Sequence, residues 1–173
     1  MRVSTWLWSL LERDYRQAPE AFAARYPGDW LIWEPGDWRP ARNATERDKL
    51  STVNLAGAAT ELRPPRPPGT DTFCFQLQLG DDDEVSVGRG TASDVLINDL
   101  TLSRTHLRLR RDSFCVDPTC RRVTRVGDDE LPTGVWQPLR DGTSVFTGAV
   151  HLTWLGPAGM LRRLATTRLG QTG

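Results

Sequence analysis

The sequence is short of the residues on which metal and redox chemistry depend. It has two histidines, His106 and His151, and three cysteines, Cys74, Cys115 and Cys120, with no Cys-x-x-Cys pair. A structural zinc site takes four suitably spaced ligands, so no metal and no other cofactor is expected. The odd cysteine count fits reduced thiols in a cytoplasmic protein. Long apolar runs are also missing. The first candidate, Trp6 to Leu11, is six residues long before Glu12 and Arg13 interrupt it, too short for a secretory leader or a membrane span. Charge of one sign is missing as well: 22 basic and 22 acidic residues cancel, which argues against bulk affinity for nucleic acid or an anionic membrane surface. Lysine is almost absent, Lys49 standing alone beside 21 arginines, a composition that suggests a GC-rich, bacterial genome. No phosphate-binding P-loop, G-x-S-x-G, H-E-x-x-H or dinucleotide fingerprint occurs, so no enzyme is expected. Cys120, next to Arg121 and Arg122, lacks a base that would make it a nucleophile.

Turn formers, by contrast, are plentiful. The chain has 173 residues, with 15 glycines and 12 prolines, about 16% of the chain against a usual ~12%. That length allows a self-sufficient core, and the turn content favours a β-dominated body. Composition shifts at residues 63–70, RPPRPPGT. Paired prolines favour extended polyproline II and forbid helix, so the segment reads as a stiff linker, with a PxxP ligand as the other reading. It separates a Trp-rich, partly helical region over 1–62 from a β-patterned domain over 71–166, and 167–173 reads as a flexible tail.

Within the first region, Leu7, Leu11 and Tyr15 recur every four residues, as do Trp6 and Leu10. With Ser4 or Thr5 as a cap, this predicts a helix over 5–16. Pro19 suits the first turn of a second helix carrying Phe22, Ala23 and Tyr26 on one face. Pro27-Gly28-Asp29-Trp30 is echoed by Pro35-Gly36-Asp37-Trp38, and WLIWE between them forms a short strand. Five of the seven tryptophans lie in the first 38 residues. They build a small core, pack onto the second domain, or anchor a partner protein. Residues 41–62 permit a helix around Leu50, Val53 and Ala56, with Asn43 or Thr45 as its cap.

From residue 71 the period becomes two. Phe73, Phe75, Leu77 and Leu79 alternate with polar residues, and the acidic turn 81–84 leads into Val85 and Val87. Further strands are expected over 94–98, 106–111, 113–117, 121–126, 135–139, 143–147 and 150–155, with a last short one over 159–164. Short strands at near-regular spacing, joined by Gly, Asp and Pro turns, describe an antiparallel β-sandwich.

The stretch that carries chemistry is VSVGRGTASDVLINDLTLSRTHLRLR, residues 85–110. Arg89, Arg104 and Ser103 fall in loops or at strand ends, where side chains can converge. A forked guanidinium plus a hydroxyl is what a tetrahedral dianion needs. On spacing alone, the same arginines could solvate a β edge while Ser103 closes a turn.

The order Gly88-Arg89, then Asp94, then Asp99, then Ser103 and His106 resembles the pattern of a forkhead-associated (FHA) domain over roughly residues 70–166. LRDGTSVFTG at 139–148 is similar to that family's late turn and strand, with Thr143 where Asp is usual. The resemblance implies a sandwich of about eleven strands whose loops at one end read phosphothreonine peptides. It assigns the phosphate to Arg89 and Ser103, with Arg104 supplementing them. It makes Gly88 and His106 loop-bracing, and Asp94 and Asp99 more naturally fix loop geometry than touch an anion.

The family usually carries S-x-N-G-T, whose Asn grips the ligand backbone. Aligned from Asp117, this chain has Arg122 for the Asn and Val123 for the Gly. Asn donates and accepts, whereas Arg only donates, so Arg122 is expected to bind the phosphopeptide in a different way. The function implied is a phosphothreonine-dependent adaptor in Ser/Thr kinase signalling, its partners a phosphothreonine-containing protein and its kinase system. The alternative is a phosphate-independent docking scaffold of the same fold. Self-association through a phosphorylated Thr70 or Thr72 is a further possibility.

Overall fold

The computed structural model describes residues 1–34 and 71–169. Val3, Thr5 and Trp6 favour extended backbone, and strand β1 (Arg2–Leu7) forms there. All six of its residues pair antiparallel with β3 (Phe73–Gln78), from Arg2 opposite Gln78 to Leu7 opposite Phe73. The helix expected over 5–16 therefore starts later, as α1 (Trp8–Gln17). Residues 5–7 fit either period, and the open edge of β3 decides in favour of the ladder. Ser4 and Thr5, expected as caps, lie inside the strand. Asp71 serves instead, its carboxylate accepting the Ser9 N–H at 3.0 Å, while the Trp8 N–H reaches the Thr72 carbonyl at 2.8 Å. Pro19 opens α2 (Pro19–Arg25). The turn at Gly28 then leads into β2 (Asp29–Trp33). Gly28 has φ +104°, and a Cβ there would stand 2.4 Å from the Leu77 carbonyl oxygen, so only glycine fits.

Downstream come β4 (Val85–Gly88), β5 (Val95–Leu96), β6 (Leu107–Leu109), β7 (Ser113–Val116), β8 (Thr124–Val126), β9 (Asp129–Glu130), β10 (Gln137–Pro138), β11 (Ser144–Thr147) and β12 (Val150–Leu155). They form a seven-stranded sheet in the order β1-β3-β2-β12-β11-β8-β9 and a five-stranded sheet in the order β10-β7-β6-β4-β5. Every pairing is antiparallel except β4 with β5. The protein is thus mainly β, a two-sheet sandwich with helices at one side. Twelve strands are present among the described residues, against about eleven expected.

The hydrogen bonds do not follow the division drawn from composition. β1 and β2, from the Trp-rich region, are strands of the larger sheet, β2 lying between β3 and β12. Composition marked the change at 63–70 without showing that strands on either side of it pair. At the other end, 159–164 is helical rather than a strand. α3 (Pro157–Leu169) covers it and the first residues assigned to the tail. Met160 and Leu164 suit a helical face as well as an alternating one, and β12 already has β2 and β11 on its two edges. The linker 63–70, the second Pro-Gly-Asp-Trp turn and the helix suggested within 41–62 lie outside the described residues, as does Thr70.

Two apolar cores result. Between the sheets lie Leu31, Phe75, Leu77, Val85, Val87, Ile97, Leu107, Leu109, Phe114, Val145, Leu152 and Trp154, among others. On the outer face of the larger sheet, Leu11, Phe22, Tyr26, Trp30, Ile32, Cys74, Leu155, Met160 and Leu164 form a second. Trp6 and Trp8 pack against it, and Trp33 packs against the first. Of the readings open to the N-terminal tryptophans, the described ones take the core role. Fully burying a Leu, Ile or Met side chain contributes roughly 1.5–3 kcal/mol, and Leu11, Ile32, Met160 and Leu164 are all fully buried, so this outer layer is a substantial share of the fold. Burial pushes the Cys74 thiol up to about 12. All three cysteines are free and buried.

Candidate functional site

The loops after β4, β5 and β7 meet at one end of the sandwich, and a dense set of side-chain bonds fixes their courses. Gly88 comes first. A Cβ on it would stand 2.2 Å from the Arg104 carbonyl oxygen, so its lack of a side chain lets the 103–104 backbone pass directly over the end of β4. That approach is sealed by the Arg89 N–H to the Ser103 carbonyl at 3.0 Å and the Gly90 N–H to the Arg104 carbonyl at 2.9 Å. Ser93 adds its hydroxyl to the same Arg104 carbonyl at 2.9 Å.

Asp94 closes the loop from the other side. Its carboxylate accepts the Ser86 N–H at 2.8 Å and the Ser86 hydroxyl at 2.7 Å. Asp99, buried, accepts the N–H and hydroxyl of Thr101 at 2.8 and 2.6 Å, and the Thr101 hydroxyl oxygen accepts the Ala149 N–H at 2.8 Å. Both aspartates are committed to loop geometry. The next loop repeats the device: Asp117 accepts the N–H and hydroxyl of Thr119 at 2.8 and 2.5 Å, and Arg108 Nε at 2.7 Å. Burial pushes the Asp117 carboxyl up, but the Thr119 and Arg108 bonds outweigh it, and the net shift is downward.

His106 is fully buried beneath these loops. Its Nδ1 accepts the Ser103 N–H at 3.1 Å, so in the neutral ring the proton sits on Nε2, which meets the Thr124 hydroxyl at 2.9 Å and the Thr147 hydroxyl. Burial, with the Arg122 charge adding to it, lowers its pKa to about 4. The ring is a neutral rivet between the Ser103 turn and two strands of the larger sheet.

Over this base the cationic side chains stand with little compensation. Arg89 Nε donates to the Leu102 carbonyl at 2.8 Å, which orients the guanidinium and leaves its two terminal nitrogens without a partner among the described residues. Arg89 and Arg104 line one open cleft of about 460 Å³ together with Gly90, Thr91, Ala92, Ser93 and Thr105. No acidic side chain lines it. Donors held in place with no carboxylate nearby suit an anion.

Ser103 and Arg122 do not line that cleft; Ser103 adjoins Arg104 in the chain, and Arg122 follows by way of Cys120. The Ser103 hydroxyl lies 3.3 Å from Cys120 Sγ, and that sulfur accepts the Arg122 N–H at 3.4 Å. Val123 sits on ordinary backbone, since no non-glycine residue has positive φ among those described. The motif reading missed Thr91, Ser93 and Thr105 in the cleft, and Ser86, Thr101, Thr124 and Thr147 among the braces. The recurring Asp-x-Thr at 99–101 and 117–119 was the one signal available for any of these. Among the described residues no group of three or more His, Cys, Asp or Glu side chains could hold a metal ion, and no helix is long and apolar enough to cross a membrane.

No family model matches the chain, and no curated protein matches it. Similar solved structures do exist. The likeness is to forkhead-associated domains. One, from work on phosphothreonine-dependent FHA domain interactions, is 16% identical over 73% of this chain and 95% of its own, with a TM-score of 0.43. The FHA domain of FhaA, solved with the intracellular domain of Rv3910, is 23% identical over 47% of this chain and 86% of its own, with a TM-score of 0.39. The first FHA domain of yeast Rad53 is 14% identical over 88% and 94%, with a TM-score of 0.42.

Proposed function

We propose that the protein is a non-catalytic, phosphothreonine-dependent binding module that recruits partners in Ser/Thr kinase signalling. The observation that carries this reading is the Arg89 guanidinium, oriented by the Leu102 carbonyl with its remaining donors unpaired, facing a cleft it shares with Arg104. The forkhead-associated spacing of Gly88, Arg89, Ser103 and His106 supports the same reading. In it Arg89 and Arg104 take the phosphate oxygens, the Ser103 hydroxyl adds a directional bond, and Arg122 engages the ligand beside the phosphothreonine. Gly88, His106, Asp94 and Asp99 keep the donors in place before the ligand arrives, which lowers the cost of ordering them on binding.

A charge-assisted hydrogen bond contributes roughly 1.5–3 kcal/mol before solvent is considered. Two or three partly exposed ones give about 3–6 kcal/mol of preference for phosphorylated over plain peptide, on the order of 10²–10⁴-fold. The test is fluorescence anisotropy with phosphothreonine peptide libraries and their unphosphorylated counterparts, on wild type and Arg89→Ala. Phosphate-dependent binding that disappears in the variant is expected. An Arg89→Ala protein that binds like wild type overturns the reading.

A second reading is a phosphate-independent scaffold, favoured by one observation: Arg122 and Val123 stand where the motif has its ligand-gripping Asn-Gly pair. It expects equal binding of both peptide sets, so the same experiment separates the two.

A further inference from the structure

Among the described residues, arginines elsewhere are mostly matched to carboxylates. Arg108 and Arg110 meet Glu84, Arg111 meets Asp81, Arg162 meets Asp141 and Arg163 meets Glu34. At the loop end the rule lapses. Arg89, Arg104, Arg121 and Arg122 have no carboxylate within ion-pair distance among the described residues. One phosphate dianion does not balance four guanidinium charges. Two of the four, Arg89 and Arg104, line the cleft. The backbone of Arg122 is held near it by a defined path, Ser103 hydroxyl to Cys120 Sγ at 3.3 Å and Cys120 Sγ to the Arg122 N–H at 3.4 Å, and Arg121 precedes it in the same loop. The Arg122 backbone thus stands within two short contacts of the hydroxyl assigned to the phosphate. Arg122 is half-buried and Arg121 exposed. A guanidinium with no carboxylate partner, carried on a loop beside an anion site, attracts a further anion; a donor-only side chain cannot take over the two-way backbone bonding of an Asn.

We propose that Arg121 and Arg122 form a second anion-binding position, which selects phosphothreonine peptides carrying another negative group close to the phosphothreonine. That group is an Asp or Glu side chain or a second phosphate. The inference rests on the phosphothreonine reading and narrows its ligand class.

The test uses the full chain and three versions of one labelled phosphothreonine peptide: neutral flanks, a Glu placed at each neighbouring position in turn, and a second phosphothreonine placed likewise. The unphosphorylated parent is the control. Partly exposed ion pairs of this kind predict about 5- to 20-fold tighter binding of the best acidic version. The preference should fall to within about twofold in R122Q and shrink in R121Q, whose exposed side chain makes it the safer variant for folding. The acidic version should also show the steeper loss of affinity with added salt. Comparing the Glu and second-phosphate arms tells which negative group the position prefers. Phosphate-dependent binding with no acidic preference overturns this inference and leaves the parent reading standing. No phosphate-dependent binding overturns the parent reading and this inference with it.

Discussion

The two sides of this sandwich treat the same residue types in opposite ways. In the outer layer, arginines are tied down and aromatics buried. Arg163 pairs with Glu34, lies 5.1 Å from the Trp8 ring centroid, and sits beside a core containing Tyr26 and Trp30. At the loop end, polar side chains are buried and arginines left open: His106, Asp99 and Asp117 are sunk and fully bonded, while Arg89, Arg104 and Arg121 are exposed. A buried polar group is tolerated only when its hydrogen bonds are met. The loop end meets that condition with Thr and Ser hydroxyls rather than with apolar packing. The outer layer packs apolar side chains, whereas the loop end fixes backbone with hydrogen bonds and leaves its cationic donors unpaired.

The contrast breaks most visibly by emptying the outer core. Leu11 is fully buried between α1 and the sheet. Leu11→Ala should cost about 2–5 kcal/mol, transfer and cavity together. Chemical denaturation should show the loss, while phosphopeptide affinity of the folded fraction stays within about twofold. A comparable loss of affinity in a folded Leu11→Ala protein would mean that the two regions are not separable.

A change of pH probes the other side. The His106 pKa in the folded protein, about 4, lies below the ordinary value of about 6.5. The unfolded chain therefore takes up a proton on acidification before the folded one does. The stability this group contributes is complete above pH ~6.5 and is lost as pH falls toward 4. Between pH ~7 and ~5 the loss should be about 2 kcal/mol. Burial lowers the His151 pKa too, which adds in the same direction. Denaturation curves at the two pH values check this, and His106→Asn should remove most of the slope. An unchanged slope in that variant would show that the rivet is not the group being titrated.

The sequence was informative where structure is local. Phe73 to Leu79 and Val150 to Leu155 announce their strands by alternation, because each has one or both faces against apolar residues close by. Gly88-Arg89 and Ser103-x-x-His106 mark the loop end because their roles depend on fixed short spacings. Two kinds of fact were not legible. β1 depends on an edge offered by β3, about 70 residues away, so its own period could not decide between helix and strand. The bonds of His106 to Thr124 and Thr147 join strands far apart in the chain, and isolated threonines in strands carry no mark of that duty. Composition likewise divided the Trp-rich segment from a sheet to which two of its strands belong.

The smallest expected effect concerns the ion pair that locks α3 to the end of β2. Arg163 reaches Glu34 with two nitrogens, one at 2.8 Å. Burial pushes the Glu34 carboxyl up, yet the Arg163 and Thr153 bonds and the Arg163 charge together outweigh it, and the net shift is downward. Arg163→Met keeps the apolar stem against Trp8 and removes only the charge. It leaves Glu34 half-sheltered without its main donor, a loss of about 1–2 kcal/mol. A carboxyl held below its usual pKa contributes stability that is present above pH ~4.5 and lost as pH falls below it. The difference between wild type and Arg163→Met should therefore be widest near neutrality and narrow on acidification, opposite to the exposed loop-end arginines, whose removal should leave stability within about 0.5 kcal/mol. Equal stability losses for Arg163→Met and R121Q would erase the distinction between arginines that hold the fold and arginines that carry no ion pair in it.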